Sequence, residues 1–218
     1  MIEIWYTHFH APFTDETWNA CLQKMPEIIQ RQAMRFVRWQ DRHANLLGKT
    51  LLRECLMKHG YPPDCLKKIS YTEYNRPCID GAIDFNISHS GNYVVCAINT
   101  VGRIGVDVER MKPLQIEEFN DCMTSEERRA VQEAPGRLEK FYELWTLKES
   151  VIKGDGRGLS LPLPDVHVEG EIARVGKVCW YAKKINLDPR YSCHIAANHE
   201  ISSMYLRKYD DAGFHLPV

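Results

Sequence analysis

Two stretches of this chain are echoed by two others. "LLGKTLLREC" (46–55) resembles "LWTLKESVIK" (144–153), and "YVVCAIN" (93–99) resembles "YSCHIAAN" (191–198). In each half the second stretch follows a long helical pattern and a hairpin-like segment. A repeat of this kind constrains the fold more than any local propensity, because both copies must build the same supersecondary unit. It predicts an α+β chain made by pseudo-twofold duplication, each lobe a small, mainly antiparallel sheet packed on a long helix. The expected lobes are residues 1–101 and 102–218, a size on which a domain can fold. Ligands of two-lobed proteins commonly bind at the seam.

Local patterns fill in the elements. "IEIWYTHF" (2–9) reads as a strand, and Asp15 caps a helix to about Met25. "PEIIQRQAMRFV" (26–37) and "RWQDRHANLLGKTLLRECLMKHG" (38–60) read as a helix, a turn and a long helix stopped by Gly60 and Pro62-Pro63. "KKISYTEYNRPCI" (67–79) runs from strand into turn, residues 82–100 hold two strands around a Ser-His-Ser-Gly loop, and "RIGVDVER" (103–110) is another strand. A helical stretch runs from Pro113 to Asp121, Thr124 or Ser125 caps the next helix, and "LEKFYELWTLKESVIKGDG" (138–156) is a long amphipathic helix ended by Gly154 and Gly156. "GLSLPLPDVHVEG", "KVCWYAKKINL", "YSCHIAANHE" and "SSMYLRKY" follow as strands.

The bulk chemistry excludes several classes. A net charge of −1 gives no case for nucleic-acid or membrane binding. The eight cysteines are scattered singly, without C-x-x-C or zinc-finger spacing, and read as reduced core residues of a cytoplasmic protein. The N-terminus lacks the basic and apolar regions of a signal peptide, and no apolar run approaches a membrane span.

The chemistry concentrates in two places. In "GVDVER" period-2 alternation puts Asp107 and Glu109 on one face of a strand, where like charges repel. In "WTLKESVIKGDG" Glu149 and Lys153 stand four apart on one helix face, with Lys148 beside them. Alone, the helix motif reads equally as a solvated face with a surface ion pair. Together, the segments offer three hard oxygen ligands, and carboxylates without clustered His or Cys suit Mg²⁺ rather than Zn²⁺. A dication between Asp107 and Glu109 removes their repulsion, and Mg²⁺ prefers to share its shell with phosphates. No G-x-x-x-x-G-K-[ST] or G-x-G-x-x-G supports a kinase or nucleotide hydrolase.

"FNISHSG" (85–91), "GVDVER" (105–110) and "FYELWTLKESVIKGDGRGLSL" (141–161) resemble, in order and spacing, the three motifs of the 4′-phosphopantetheinyl transferases. Length and the "F-N-x-S-H-S" block resemble the two-lobed, monomeric Sfp type. The resemblance covers about residues 30–165. It implies transfer of the phosphopantetheine arm of coenzyme A to a serine of an apo acyl or peptidyl carrier protein, releasing adenosine 3′,5′-bisphosphate. It implies Mg²⁺ on Asp107, Glu109 and Glu149, a general base at Glu149 or Glu127 (with Glu126 as neighbour), and Lys148 or Lys153 on the leaving phosphate. For coenzyme A it implies Ser88 and His89 on phosphate and an adenine turn at "YNRPC" with Arg76, Pro77 and Asn75. Asn75 stands where glycine is usual, and Asn tolerates positive φ. Ala44 stands where a basic residue is usual, so Arg35 and Arg42 are the preferred holders of the 3′-phosphate, with Arg31 and Lys49 as further cations. An acidic carrier would meet a basic and apolar patch at Met111–Met123 with Arg128 and Arg129. A non-catalytic coenzyme A or carrier-binding module is the alternative; retention of three acids and both lysines speaks for chemistry. The carrier's pathway (fatty-acid, polyketide or nonribosomal-peptide) is not encoded in these motifs.

Overall fold

The computed structural model describes residues 1–209. Eleven strands and five α-helices alternate along them. The first lobe holds β1 (Ile2–His8), α1 (Asp15–Gln23), α2 (Glu27–Ala33), α3 (Trp39–Lys58), a short hairpin of β2 (Ser70–Tyr71) and β3 (Pro77–Cys78), then β4 (Asp84–Ser90) and β5 (Tyr93–Asn99). The second begins with β6 (Ile104–Arg110) and continues through a 3₁₀ segment (Ile116–Cys122), α4 (Ser125–Glu133) and α5 (Arg137–Asp155). It then forms β7 (His167–Glu169), β8 (Ile172–Val175), β9 (Val178–Lys184) and β10 (Tyr191–Ala197); β11 (Met204–Lys208) comes last.

The duplication is visible in the strand order. One sheet runs β11-β1-β5-β4 and the other β6-β10-β9-β8-β7. The echoed stretches "YVVCAIN" and "YSCHIAA" are β5 and β10, each wholly buried, and each flanked by two antiparallel neighbours. Alternate residues of β5 serve two cores. Val94, Cys96 and Ile98 pack toward α3, whereas Tyr93, Val95 and Ala97 meet Ile104, Val106 and Val108 of β6 and Cys193 and Ile195 of β10. The sheets therefore share an apolar layer, with α3 on the far side of one and α5 on the far side of the other. α5 packs on Trp180, Ala182 and Ala196 through Leu147, Val151 and Ile152. None of the eight cysteines forms a disulfide, as their scattered spacing predicts.

Several segments differ from expectation: Thr14 and not Asp15 caps α1, Ser88, His89 and Ser90 lie within β4 and not in a loop, and the stretch Ile116–Cys122 is 3₁₀ and not α-helix. "GLSLPLPDVHVEG" forms two 3₁₀ turns (Gly158–Ser160 and Leu163–Asp165), and only His167–Glu169 is strand. Pro162 and Pro164 lack the N–H that a ladder needs. The last strand, β11, pairs in parallel with β1 of the first sheet, Ile2 opposite Met204 through Tyr6 opposite Lys208, so the chain returns to the first lobe before its end.

The seam between the lobes is unusual. β4 and β6 are the facing edges of their sheets, and they do not pair backbone to backbone. Instead the β6 amides donate to alternate β4 side chains. Ile104 N–H meets Asp84 Oδ2 at 2.7 Å and Val106 N–H meets Asn86 Oδ1 at 3.0 Å. Val108 N–H meets Ser88 Oγ at 3.3 Å and Arg110 N–H meets Ser90 Oγ at 3.1 Å. The polar residues of "DFNISHS" are thus the rungs of a side-chain ladder that satisfies one exposed edge with another. Asn86→Ala removes an acceptor and leaves the Val106 amide buried and unpaired. Urea unfolding is expected to show a loss of about 1–3 kcal/mol; a loss below about 0.5 kcal/mol would show that the ladder does not hold the lobes.

Candidate active site

The ladder brings the acids to the seam. On β6 the even-numbered valines 106 and 108 face the shared core, so Asp107 and Glu109 face α5. α5 can lie directly on β6 because two glycines meet. A Cβ on Gly105 would stand 1.9 Å from the Ser150 carbonyl oxygen, and one on Gly154 would fall 2.6 Å from the Trp180 ring. This close approach lets the last turns of α5 deliver Glu149 and Lys153 beside Asp107.

Lys153 Nζ donates to Asp107 Oδ1 at 2.5 Å and to Ser88 Oγ at 2.9 Å. The Ser88 hydroxyl donates to the same Oδ1 at 3.0 Å. Two residues further along both strands, the Ser90 hydroxyl donates to Glu109 Oε2 at 2.7 Å. The carboxylates feel one another. Burial first, then the Asp107 charge, hold the Glu149 carboxyl above its usual range, with Lys153 pulling the other way. Burial likewise raises Glu109; the Ser90 hydrogen bond opposes it, and Asp107 and Glu149 reinforce it. Asp107 is only 2% exposed, and its second oxygen, Oδ2, is buried without a hydrogen-bond partner.

A bare, buried carboxylate oxygen beside two crowded carboxyls is the chemistry of a hard-cation site. The Asp107, Glu109 and Glu149 set fits such an ion by donor type and by that orphaned atom. Its oxygens are not gathered to within 4.8 Å of one another, and the Lys153 ammonium supplies the positive charge at Asp107. Among the described residues, the group that is so gathered is Glu3, Cys55 and His59 in the first lobe. There Glu3 already takes hydrogen bonds from Lys58 at 3.0 Å and Trp5 at 3.2 Å, with His59 Nε2 3.0 Å away.

A cavity of about 380 Å³ opens at the seam, lined by Tyr74, Arg76, Pro77, Ile152 and Leu161 together with Asn86, Glu149 and Lys153. A cavity of similar volume between α4, α5 and the second sheet holds Glu126 and Glu127 but none of Asp107, Glu149 or Lys153. The β2–β3 turn beside the first cavity has Asn75 at φ +61°, the left-handed conformation its side chain tolerates, closed by Asn75 N–H to the Thr72 carbonyl at 2.9 Å.

The remaining candidates scatter. His89 lies on the opposite face of β4 from Ser88, exposed; partial desolvation, then the Lys153 charge, hold its imidazole below its ordinary value and so neutral at pH 7. Arg35 is exposed, and Arg42 donates to the Phe36 carbonyl at 3.0 Å, while its Nε and the nearby Asn45 Oδ1 are buried and unpartnered. Arg76 is buried in contacts with the protein itself. Lys148, 1% exposed, donates to Glu127 Oε2 at 2.6 Å and to the Leu163 carbonyl at 3.1 Å. Glu127 also accepts the Thr124 amide at 2.8 Å, closing a capping box at the start of α4. Burial pulls the Lys148 ammonium below its ordinary value, against its pairing with Glu127. In the segment 111–123 the apolar residues Met111, Leu114, Ile116 and Phe119 pack on a small core with Phe141, while Glu117, Glu118 and Asp121 are exposed. Arg128 turns inward to the Asn120 and Met123 carbonyls, while Arg129 and Lys112 are exposed.

Asp84, Asn86 and Ser90 were not anticipated as site residues. Their signal is the period-2 polar alternation of "DFNISHS", which demands partners on a second strand.

This geometry coincides with sequence kinship. Residues 103–203 match the model of the 4′-phosphopantetheinyl transferase superfamily, and residues 11–101 match that of the 4′-phosphopantetheinyl transferase N-terminal region. The chain belongs to this family and is a transferase enzyme. It is 30% identical to the 4′-phosphopantetheinyl transferase Sfp of Bacillus subtilis (strain 168), across 91% of this chain and 93% of that protein. It is 31% identical to the 4′-phosphopantetheinyl transferase gsp of Aneurinibacillus migulanus across 75% of this chain and 69% of that protein. It is 27% identical to the L-aminoadipate-semialdehyde dehydrogenase-phosphopantetheinyl transferase of Xenopus laevis across 70% of this chain and 56% of that protein.

The Lys148–Glu127 pair yields a direct test. Glu127→Gln leaves a buried ammonium without its counter-charge, an imbalance that costs about 3–5 kcal/mol. Urea denaturation should show that loss for Glu127→Gln and no shift in midpoint for Glu126→Gln. Equal midpoints for the two variants would contradict the buried pairing.

Proposed function

We propose that this enzyme transfers the 4′-phosphopantetheine arm of coenzyme A to a serine hydroxyl of an apo acyl or peptidyl carrier protein, releasing adenosine 3′,5′-bisphosphate. The observation that carries the proposal is the meeting of Asp107 and Glu109 with Glu149 and Lys153 at the seam, with Asp107 Oδ2 bare. Asp107, Glu109 and Glu149 would hold Mg²⁺. When bound, that ion neutralises the diphosphate so that the phosphoanhydride can be attacked in line.

The chain's own groups supply the rest. Glu149 shares the seam cavity with Lys153 and would act as general base for the incoming serine hydroxyl. The serine oxygen forms a bond to the β-phosphorus as the anhydride bond to the α-phosphate breaks. The serine proton goes to Glu149, and the leaving phosphate receives one from Lys153, whose ammonium already stands between Ser88 and Asp107. Glu127 and Lys148, locked to each other, act by fixing α4 and the 163 turn against α5 and leave proton transfer to Glu149 and Lys153. Pro77 and Asn75 shape the turn beside the seam cavity, where the adenine would lie. Ser88 and His89 on β4, with Arg35 and Arg42 of the first lobe, would meet the coenzyme A phosphates. The enzyme works as a cytoplasmic monomer in this reading; no helix among the described residues is long and apolar enough to cross a membrane.

Incubation with coenzyme A, Mg²⁺ and an apo carrier protein, read by intact mass, tests the reaction. The carrier should gain one phosphopantetheine arm, EDTA should stop the gain and added Mg²⁺ restore it. Asp107→Ala should abolish transfer while the protein still melts cooperatively. Tight coenzyme A binding with no mass gain for any carrier would support a binding module instead, and transfer insensitive to chelation would remove the metal from the mechanism.

A further inference from the structure

We infer that Arg76 is a positioning residue, joined with Asp84 in a buried latch that sets Lys153, and that it is not a contact of coenzyme A. The inference rests on the transfer reading above for the role of Lys153; the latch itself stands on geometry.

Arg76 belongs to the turn expected to meet adenine and borders the seam cavity, yet it is 5% exposed and each of its three side-chain nitrogens donates to the protein. Nη1 and Nη2 form a fork on Asp84 Oδ1 and Oδ2, each at 2.7 Å. Nη2 also donates to the Ile104 carbonyl at 2.9 Å and, more weakly, to the Phe85 carbonyl at 3.4 Å. Nε donates to the Lys153 carbonyl at 3.0 Å. These acceptors lie on β4, on β6 and in the last turn of α5. One guanidinium therefore ties both edges of the seam to the helix that carries Glu149 and Lys153.

Each contact answers a local need. The last carbonyls of a helix have no partner within it, and a cation is favoured there by the helix dipole. The Arg76 Nε fills that place at the end of α5. The stem of Arg76 lies over Gly156, the left-handed residue that closes the helix at φ +89°, where a Cβ would stand 2.5 Å from the Arg76 Cδ. Asp84 completes a ring: its Oδ2 accepts the Ile104 amide at 2.7 Å while the Ile104 carbonyl accepts from Arg76. This is the first rung of the seam ladder, and Arg76 locks it. Lys153 is then fixed at both ends, its carbonyl by Arg76 and its ammonium by Asp107 and Ser88. A lysine could not reproduce this, because the task needs a planar bidentate fork with further donors.

Arg76→Lys and Asp84→Glu, which both conserve charge, test the assignment. Single-turnover transfer with enzyme in saturating excess over carrier gives a rate constant independent of the fraction folded. Isothermal titration with coenzyme A in the absence of carrier gives binding separately. Both variants should melt cooperatively and slow single-turnover transfer on the order of 100-fold, the scale of a small misplacement of a catalytic group. Their coenzyme A dissociation constants should stay within about threefold of the parent, a change of under about 0.7 kcal/mol. The double variant should be no slower than Arg76→Lys alone, because the two residues share one interaction. Weakening of coenzyme A binding about tenfold or more in Arg76→Lys, with unchanged rate and a silent Asp84→Glu, would make Arg76 a substrate contact and overturn the latch. Parental rate constants in both variants would overturn it too. An unmodified protein that transfers nothing to any carrier would instead remove the transfer reading, while a lowered melting midpoint in Arg76→Lys would still report the latch and a parental midpoint would overturn it.

Discussion

The amides of one edge strand need acceptors, and in this protein they find them in the side chains of another. The structure depends on that substitution. A backbone ladder between β4 and β6 would merge the two sheets into one and leave no room for functional groups at the join. The Asp84, Asn86, Ser88 and Ser90 rungs hold the lobes together at side-chain distance while satisfying the β6 edge. Two of the rungs then reach the acids: Ser88 bonds Asp107, and Ser90 bonds Glu109. The groups that join the lobes thus orient the candidate catalytic carboxylates, so chemistry and assembly are one arrangement.

The duplication explains why a site exists on one strand and not on its counterpart. With β5 set against β10, Trp5 opposite Cys96 takes the place of Asp107 opposite His194, and Thr7 opposite Val94 takes that of Glu109 opposite Ser192. β1 has no open edge to serve, since β11 covers it in parallel. β6 keeps its edge, and that edge is where the acids lie. Symmetric scaffolds with asymmetric use of their edges put one site at the junction, where both lobes contribute residues.

Much of this was legible in the chain. The echoed strands gave the architecture because each is an apolar run that must be central in a sheet. The "GVDVER" alternation placed Asp107 and Glu109 on one face, and the four-residue spacing of Glu149 and Lys153 placed them on another. Three things were not legible. β11 joins the first sheet, a pairing set by long-range topology that local pattern does not encode. Glu127 and Lys148 are candidates by residue type, and their burial against each other appears only in the fold, because burial is a property of the whole molecule. From the sequence the repulsion at Asp107 calls for a metal, whereas in the fold the Lys153 ammonium pairs with that carboxylate.

The most direct test of the account is anomalous diffraction from crystals soaked with coenzyme A and Mn²⁺, an ion that shares the oxygen preference of Mg²⁺. The account predicts one strong peak bound by Asp107 on β6 and Glu149 on α5 and touching the diphosphate, with the Lys153 ammonium moved off Asp107. Coenzyme A bound at the seam with no peak there, or with the ion held by residues of one lobe away from Asp107, would contradict it.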